Sequence, residues 1–117
     1  MYQYKAKLNR VIDGDTFDLA IDVGFEITIN THIRVLDLDT PEIFHPSCYA
    51  EKVHGFAAKL KANTLLREKD LVILTQKKGK YGRYLAHIFI EPEGLDFAKE
   101  MQDAGFQKKD SYVNTTE

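Results

Sequence analysis

The sequence is short of several things that would fix its class at once. It has one cysteine, Cys48, so no disulfide can close within the chain and a reducing compartment suits it. No apolar run approaches the roughly 20 residues a membrane-crossing helix needs. The opening, "MYQYKAKLNR", has no apolar stretch behind its basic residues, so no signal peptide is expected. The cytoplasm is therefore favoured, with secretion requiring a processed N-terminus. Positive charge is not in excess: 16 Lys and Arg face 18 Asp and Glu, a net charge of −2. Nucleic-acid binders more often carry a basic surplus, because phosphate contacts release counterions. The local balance differs, since residues 77–84, "KKGKYGRY", are strongly basic. No repeat, low-complexity tract or linker divides the chain, which predicts one domain over residues 1–117 with a polar tail from about 107.

What is present reads first as strands. "YKAKLNRVI" predicts a first strand. In Thr16 to Val23, Phe17, Leu19 and Ile21 share one parity and Asp18 and Asp22 the other. Gly24 supplies a turn, and "FEITINTHIRVLDL" predicts a long third strand. From about Ala50 to Arg67 the period becomes helical, with Val53, Phe56, Ala57, Leu60 and Thr64 marking the predicted apolar face. "DLVILTQ" returns to strand, and "RYLAHIFI" is apolar on both parities, which predicts a strand buried on both sides. "GLDFAKEMQDAG" predicts a short helix stopped by Gly105. "KKDSYVNTTE" predicts a frayed end. The order is three strands, a helix, two strands and a helix, an α+β arrangement suited to the five-stranded OB-fold barrel.

Two acidic clusters stand at strand ends: Asp13-Gly14-Asp15 and, further on, Asp37 and Asp39 running into Thr40-Pro41-Glu42. Asp-Gly alone is more often a hairpin turn than a site. Taken together, Asp15, Asp39 and the Thr40 carbonyl offer oxygen ligands to a hard divalent cation and leave positions open for water and substrate. Glu42, not needed for the metal, could orient or deprotonate an attacking water, although a solvated turn acid looks the same. Arg34 and Arg83 could share the extra charge of a five-coordinate phosphorus, although either could be an ordinary surface arginine. In an ideal strand Arg34 and Asp39 have opposite parity and point to opposite faces, so a bulge or sharp coiling must intervene. His45 and His87 have no second ligand at zinc spacing, and Cys48 has no paired base, so all three read as structural or surface residues.

The segments "VIDGDT", "IRVLDLDTPE" followed by "HP", and "KYGRYLAHI" occur in that order, with a helix between the last two. In these the chain resembles the staphylococcal nuclease-like (thermonuclease) family, from about Lys5 to Gly105. The resemblance implies a Ca²⁺ ion between Asp15 and Asp39, with the Thr40 carbonyl as a further ligand and Asp13 nearby but outside the principal ligand set. It implies Glu42 as general base or water-orienting group, and Arg34 and Arg83 on the scissile phosphate. Lys80 and Tyr81 match residues that contact the terminal phosphate of bound nucleotide. The implied activity is calcium-dependent cleavage of DNA and RNA, single-stranded or denatured for preference, giving 3′-phosphates and 5′-hydroxyls. A monomer without a membrane partner is expected. Family nucleases continue past the second helix with base-stacking tyrosines and a third helix. Here "GFQKKDSYVNTTE" follows instead, with Tyr112 as the candidate platform, and weaker base-side affinity is expected. The rival expectations are a catalytically silent OB-fold module binding single-stranded nucleic acid or protein, and a metal-stabilised structural domain.

Overall fold

The computed structural model describes residues 2–78 and 84–108. Strands β1 (Tyr2–Asp13), β2 (Thr16–Asp22) and β3 (Thr28–Val35) lead into helix α1 (Tyr49–Leu66). Then come β4 (Leu71–Lys78), β5 (Tyr84–Ile90), a two-residue β6 (Leu95–Asp96) and α2 (Phe97–Asp103). The sheet order is β3-β2-β1-β4-β5-β6, and a parallel β3–β5 pairing closes the first five strands into a barrel. Closure leaves β6 alone on the outside of β5, so the five long strands keep almost no free edge.

The core follows from parity on the strands. Phe17, Leu19 and Ile21 of β2 point inward, as do Ile33 and Val35 of β3 and Ala86, Ile88 and Ile90 of β5. Leu85, His87 and Phe89 stay half-buried, so β5 alternates rather than being buried on both sides. Phe17 meets Phe97 of α2 edge-to-face at 5.2 Å, which fixes the second helix against the barrel. Asp96 caps α2 by accepting from the N–H groups of Ala98 and Lys99. Gly105, at φ +88°, ends it in a Schellman turn: Phe106 N–H bonds Met101 O and Gly105 N–H bonds Gln102 O. The stop at Gly105 is as the sequence predicts, but Leu95–Asp96 pair with β5 before the helix begins.

Two predicted elements are corrected. The third strand is shorter than "FEITINTHIRVLDL": Gly24, Phe25 and Glu26 form a left-handed turn before it, and the strand ends at Val35. Helix α1 is rotated from its predicted face. Val53, Phe56 and Leu60 are 50%, 46% and 70% exposed, while Glu51, Gly55, Ala58, Ala62 and Leu66 form the buried ridge. Apolar bulk was the wrong marker here, because the middle of the helix packs close and there the ridge is made of the small residues Gly55, Ala58 and Ala62. A Cβ on Gly55 would lie 2.8 Å from the carbonyl oxygen of Pro41.

Candidate active site

The β1–β2 hairpin is a tight turn in which Asp13 pairs with Thr16 across Gly14 and Asp15. Gly14 is there for room rather than for a left-handed backbone. A Cβ at that position would come within 2.8 Å of the Thr40 side chain and 2.9 Å of Ala58 Cβ. Turn, helix and Thr40 segment therefore meet at one point, and Asp15 is buried there at 5% exposure. Its carboxylate accepts the Thr40 N–H at 3.0 Å, and its backbone carbonyl accepts the Val35 N–H at 2.9 Å.

Arg34 lies next to Val35, paired with Thr16 on one side and Leu85 on the other. Its Nη1 donates to the carbonyls of Val35 and Leu38 and lies 3.4 Å from Asp15 Oδ2. Its Nη2 lies 3.5 Å from Asp39 Oδ1. Two carboxylates from distant parts of the chain thus converge on one guanidinium. The parity difficulty disappears because the strand does not continue to Asp39. Leu36 and Asp37 turn the chain, with Asp37 at φ +65°, and bring Asp39 back beside Arg34.

The acids do not all carry full charge. Burial, then the hydrogen bond with Asp15 and that neighbour's negative charge, push the Asp13 carboxyl up to about 7. Burial pulls Asp15 the same way, but its hydrogen bond with Asp13, the Arg34 charge and the Thr40 N–H outweigh it and hold Asp15 below the usual carboxylate range. Below neutral pH the hairpin therefore carries about one negative charge, which limits the repulsion that crowding would otherwise cause.

Thr40 is buried, Asp39 exposed and Glu42 half-buried. No described side chain donates to the Glu42 carboxylate, whereas its backbone N–H is bonded to Glu51 Oε2 at 2.9 Å. Thus Asp15, Arg34, Asp39 and Thr40 are brought together by direct contact, with Glu42 two residues beyond Thr40. Arg83, Lys80, Tyr81 and Tyr112 lie outside the described residues. His45 is exposed, and His87 Nδ1 sits 3.9 Å from Asp37. Cys48 precedes α1 and makes no side-chain cap bond to it.

Over residues 32–116 the chain matches the family described as staphylococcal nuclease homologue. The chain belongs to that family. It is also similar to an uncharacterized protein of Methanocaldococcus jannaschii, 32% identical over 140 aligned residues that include 95% of this chain. The chain spans 65% of that relative's length. The closed barrel with two helices fits this family, which is one of nuclease and nucleic-acid-binding domains.

Several contacts were not foreseen. Glu51 is wholly buried, and Gln107 and Lys108 bond to the site, while the end expected to fray lies, from residue 109 on, outside the described residues. Gln107 Oε1 accepts the Asp39 N–H at 3.3 Å, and the Lys108 N–H donates to the Asp39 carbonyl at 2.6 Å. Gln102 Nε2 donates to the Asp37 carbonyl. An acid in the first turn of a helix is a readable capping signal, so Glu51 could have been noticed. Gln107 and Lys108 carry no such local mark.

Proposed function

We propose that the chain is a metal-dependent phosphodiesterase that cleaves DNA and RNA, with Ca²⁺ between Asp15 and Asp39. The observation that carries this reading is the convergence of both carboxylates on the Arg34 guanidinium, with the acid Glu42 two residues beyond Thr40 and its charge felt by Asp13 and Lys108. The donor set suits a hard dication. Two carboxylates already face one cationic group, and the Thr40 carbonyl belongs to the same segment. Among the described residues no three His, Cys, Asp or Glu side chains are grouped to hold a metal, so the proposed ion would rest on Asp15, Asp39 and the Thr40 carbonyl alone. When bound, Ca²⁺ would supply charge neutralisation and Lewis-acid polarisation of a phosphate oxygen.

The remaining chemistry belongs to the chain. Glu42 takes a proton from water as it attacks phosphorus, and among the described residues no side chain donates a hydrogen bond to its carboxylate. Arg34 is anchored through Nη1 by two backbone carbonyls, and its Nη2, 3.5 Å from Asp39 Oδ1, is the nitrogen proposed to meet the charge that develops on the phosphate. Arg83 is the proposed second cation on that phosphate, and Lys80 and Tyr81 the proposed contacts to a terminal phosphate. Departure of the 5′ oxygen leaves a 3′-phosphate and a 5′-hydroxyl. Denatured DNA incubated in Ca²⁺ or in EGTA, with the ends analysed, tests this. Calcium-dependent cleavage to 3′-phosphate ends is expected, and no cleavage by the folded chain would refute it.

A second reading has its own observation. A concavity of about 380 Å³ at one barrel mouth is lined by Tyr2, Tyr4 and Tyr84 among aliphatic residues of β2 and β3. Tyrosine rings on an OB-type barrel can stack on unpaired bases without any cleavage. Binding of single-stranded nucleic acid that needs no metal, and is lost with Tyr2→Ala but not with Glu42→Gln, would favour that reading.

A further inference from the structure

Glu51 has no part in the chemistry proposed above, yet it is a carboxylate at 0% exposure. A capping acid normally serves its own helix. Glu51 divides its oxygens among three partner residues instead. Oε1 accepts the Ser47 N–H at 2.7 Å and the Ser47 hydroxyl at 2.8 Å, just ahead of α1. Oε2 accepts the Glu42 N–H at 2.9 Å and faces Lys108 Nζ at 3.3 Å. Those partners come from two points of the loop between β3 and α1, one of them the proposed base, and from the end of the described chain.

We propose that Glu51 is a positioning residue for Glu42, and that Lys108 of the C-terminal segment completes the clamp. The inference rests on the reading of Glu42 as the base. Residues 41 to 43 are otherwise held by shape. Gly55 of α1 lies against the carbonyls of Pro41 and Glu42 and against Ile43, so the helix forms a wall on that side. Van der Waals contact with a wall does not fix a peptide in rotation. The bond from Glu42 N–H to Oε2 does, and it engages the backbone of Glu42 rather than its carboxylate. A base held by its backbone and open at its carboxylate is what a water-activating group requires.

Lys108 extends the clamp to the proposed metal side. Its ammonium meets Glu51 while its N–H donates to the Asp39 carbonyl, so one residue of the tail touches both halves of the site. The clamp is also charged under working conditions. Burial alone would raise the Glu51 carboxyl, but the backbone N–H groups of Ser47 and Glu42, the Ser47 hydroxyl and Lys108 bring it down to about 2. Replacing one oxygen by an amide would set an N–H₂ against donors that are already there, and at least one of the three partners would come loose.

The test compares the full chain with Glu51→Gln and Lys108→Gln in two measurements. One is amide hydrogen exchange at Glu42 and Ser47, and the other is steady-state cleavage of denatured DNA in Ca²⁺. For Glu51→Gln both amides should exchange about tenfold faster or more while barrel amides keep their protection. kcat should fall about tenfold or more with KM within about threefold, because a displaced base loses transition-state rather than ground-state interactions. Lys108→Gln should move both readouts in the same direction by less. Wild-type kcat in folded Glu51→Gln would overturn the inference and leave the nuclease reading standing. A wild-type chain inert in Ca²⁺ would instead overturn that reading, and with it a base to position. Should Glu51→Gln fail to fold, unchanged kcat and exchange in Lys108→Gln would overturn the clamp.

Discussion

Arg34 shows how one residue can settle what charge alone leaves open. It sits between two acids and two backbone carbonyls, and among the described residues its guanidinium is the cation that neutralises buried Asp15. Arg34→Ala should therefore lower stability by about 1–3 kcal/mol in metal-free buffer, because a buried carboxylate loses its partner. Calcium should restore part of that loss if Asp15 and Asp39 are its ligands, since a dication would then replace the missing charge. Thermal melts of the variant in EGTA and in Ca²⁺ read this directly. A larger calcium-induced rise in Tm for the variant than for the wild type is expected. Gly14 belongs to the same scale. Gly14→Ala places a methyl inside the contact distance of Thr40 and Ala58, so a loss of about 1–3 kcal/mol is expected in urea unfolding.

At the scale of elements, the strands were legible because parity on a barrel is strict. Phe17, Leu19 and Ile21 alternate in sequence and all three turn inward. Helix α1 was placed correctly but faced wrongly. Periodicity picks out bulky apolar side chains, whereas its packing against the barrel selected Gly55, Ala58 and Ala62, whose value lies in being small. That difference is measurable. Leu60→Lys, on the open face, should change stability by no more than about 0.5 kcal/mol. Ala58→Leu, on the closed ridge, should cost about 1–3 kcal/mol or more. Equal effects would mean the helix does not sit as described. The clustering of Asp15, Asp39 and Arg34 could be anticipated from acids and an arginine at strand ends. Glu51, Gln107 and Lys108 could not be assigned their contacts, because Gln107 reaches Asp39 across 68 residues and nothing local announces it. Their side chains are ordinary surface types until the fold brings them to the site.

For the whole molecule, the clamp ties stability to pH. The Glu51 carboxyl is lowered from 4.5 to about 2, so the native state holds its charged form more tightly than the unfolded chain does. Its contribution is present in full above about 4.5 and is lost as pH falls towards about 2. Glu51→Gln should remove that dependence, flattening the stability curve between those limits, and unfolding followed at several pH values would show it. The barrel also joins its extremes: β3 and β5 close it, and residues 107–108 return to the loop that begins the site. The proposed active site is thus assembled from the first hairpin, the end of β3, helix α1 and the final described residues. Such a site should loosen as a unit, and metal bound there should stabilise the chain as a whole. Calcium at about 100 times its dissociation constant should add about 2.7 kcal/mol, seen as a rise in Tm that EGTA abolishes.

The central claim is that Glu42 activates water on a phosphodiester beside the Asp15–Asp39 pair. The most direct measurement is the single-turnover rate of cleavage of denatured DNA in Ca²⁺ by the wild-type chain and by Glu42→Gln. A rate lowered about 100-fold or more, with both proteins equally folded, is the predicted result. Equal rates would contradict the account and remove Glu42 from the chemistry.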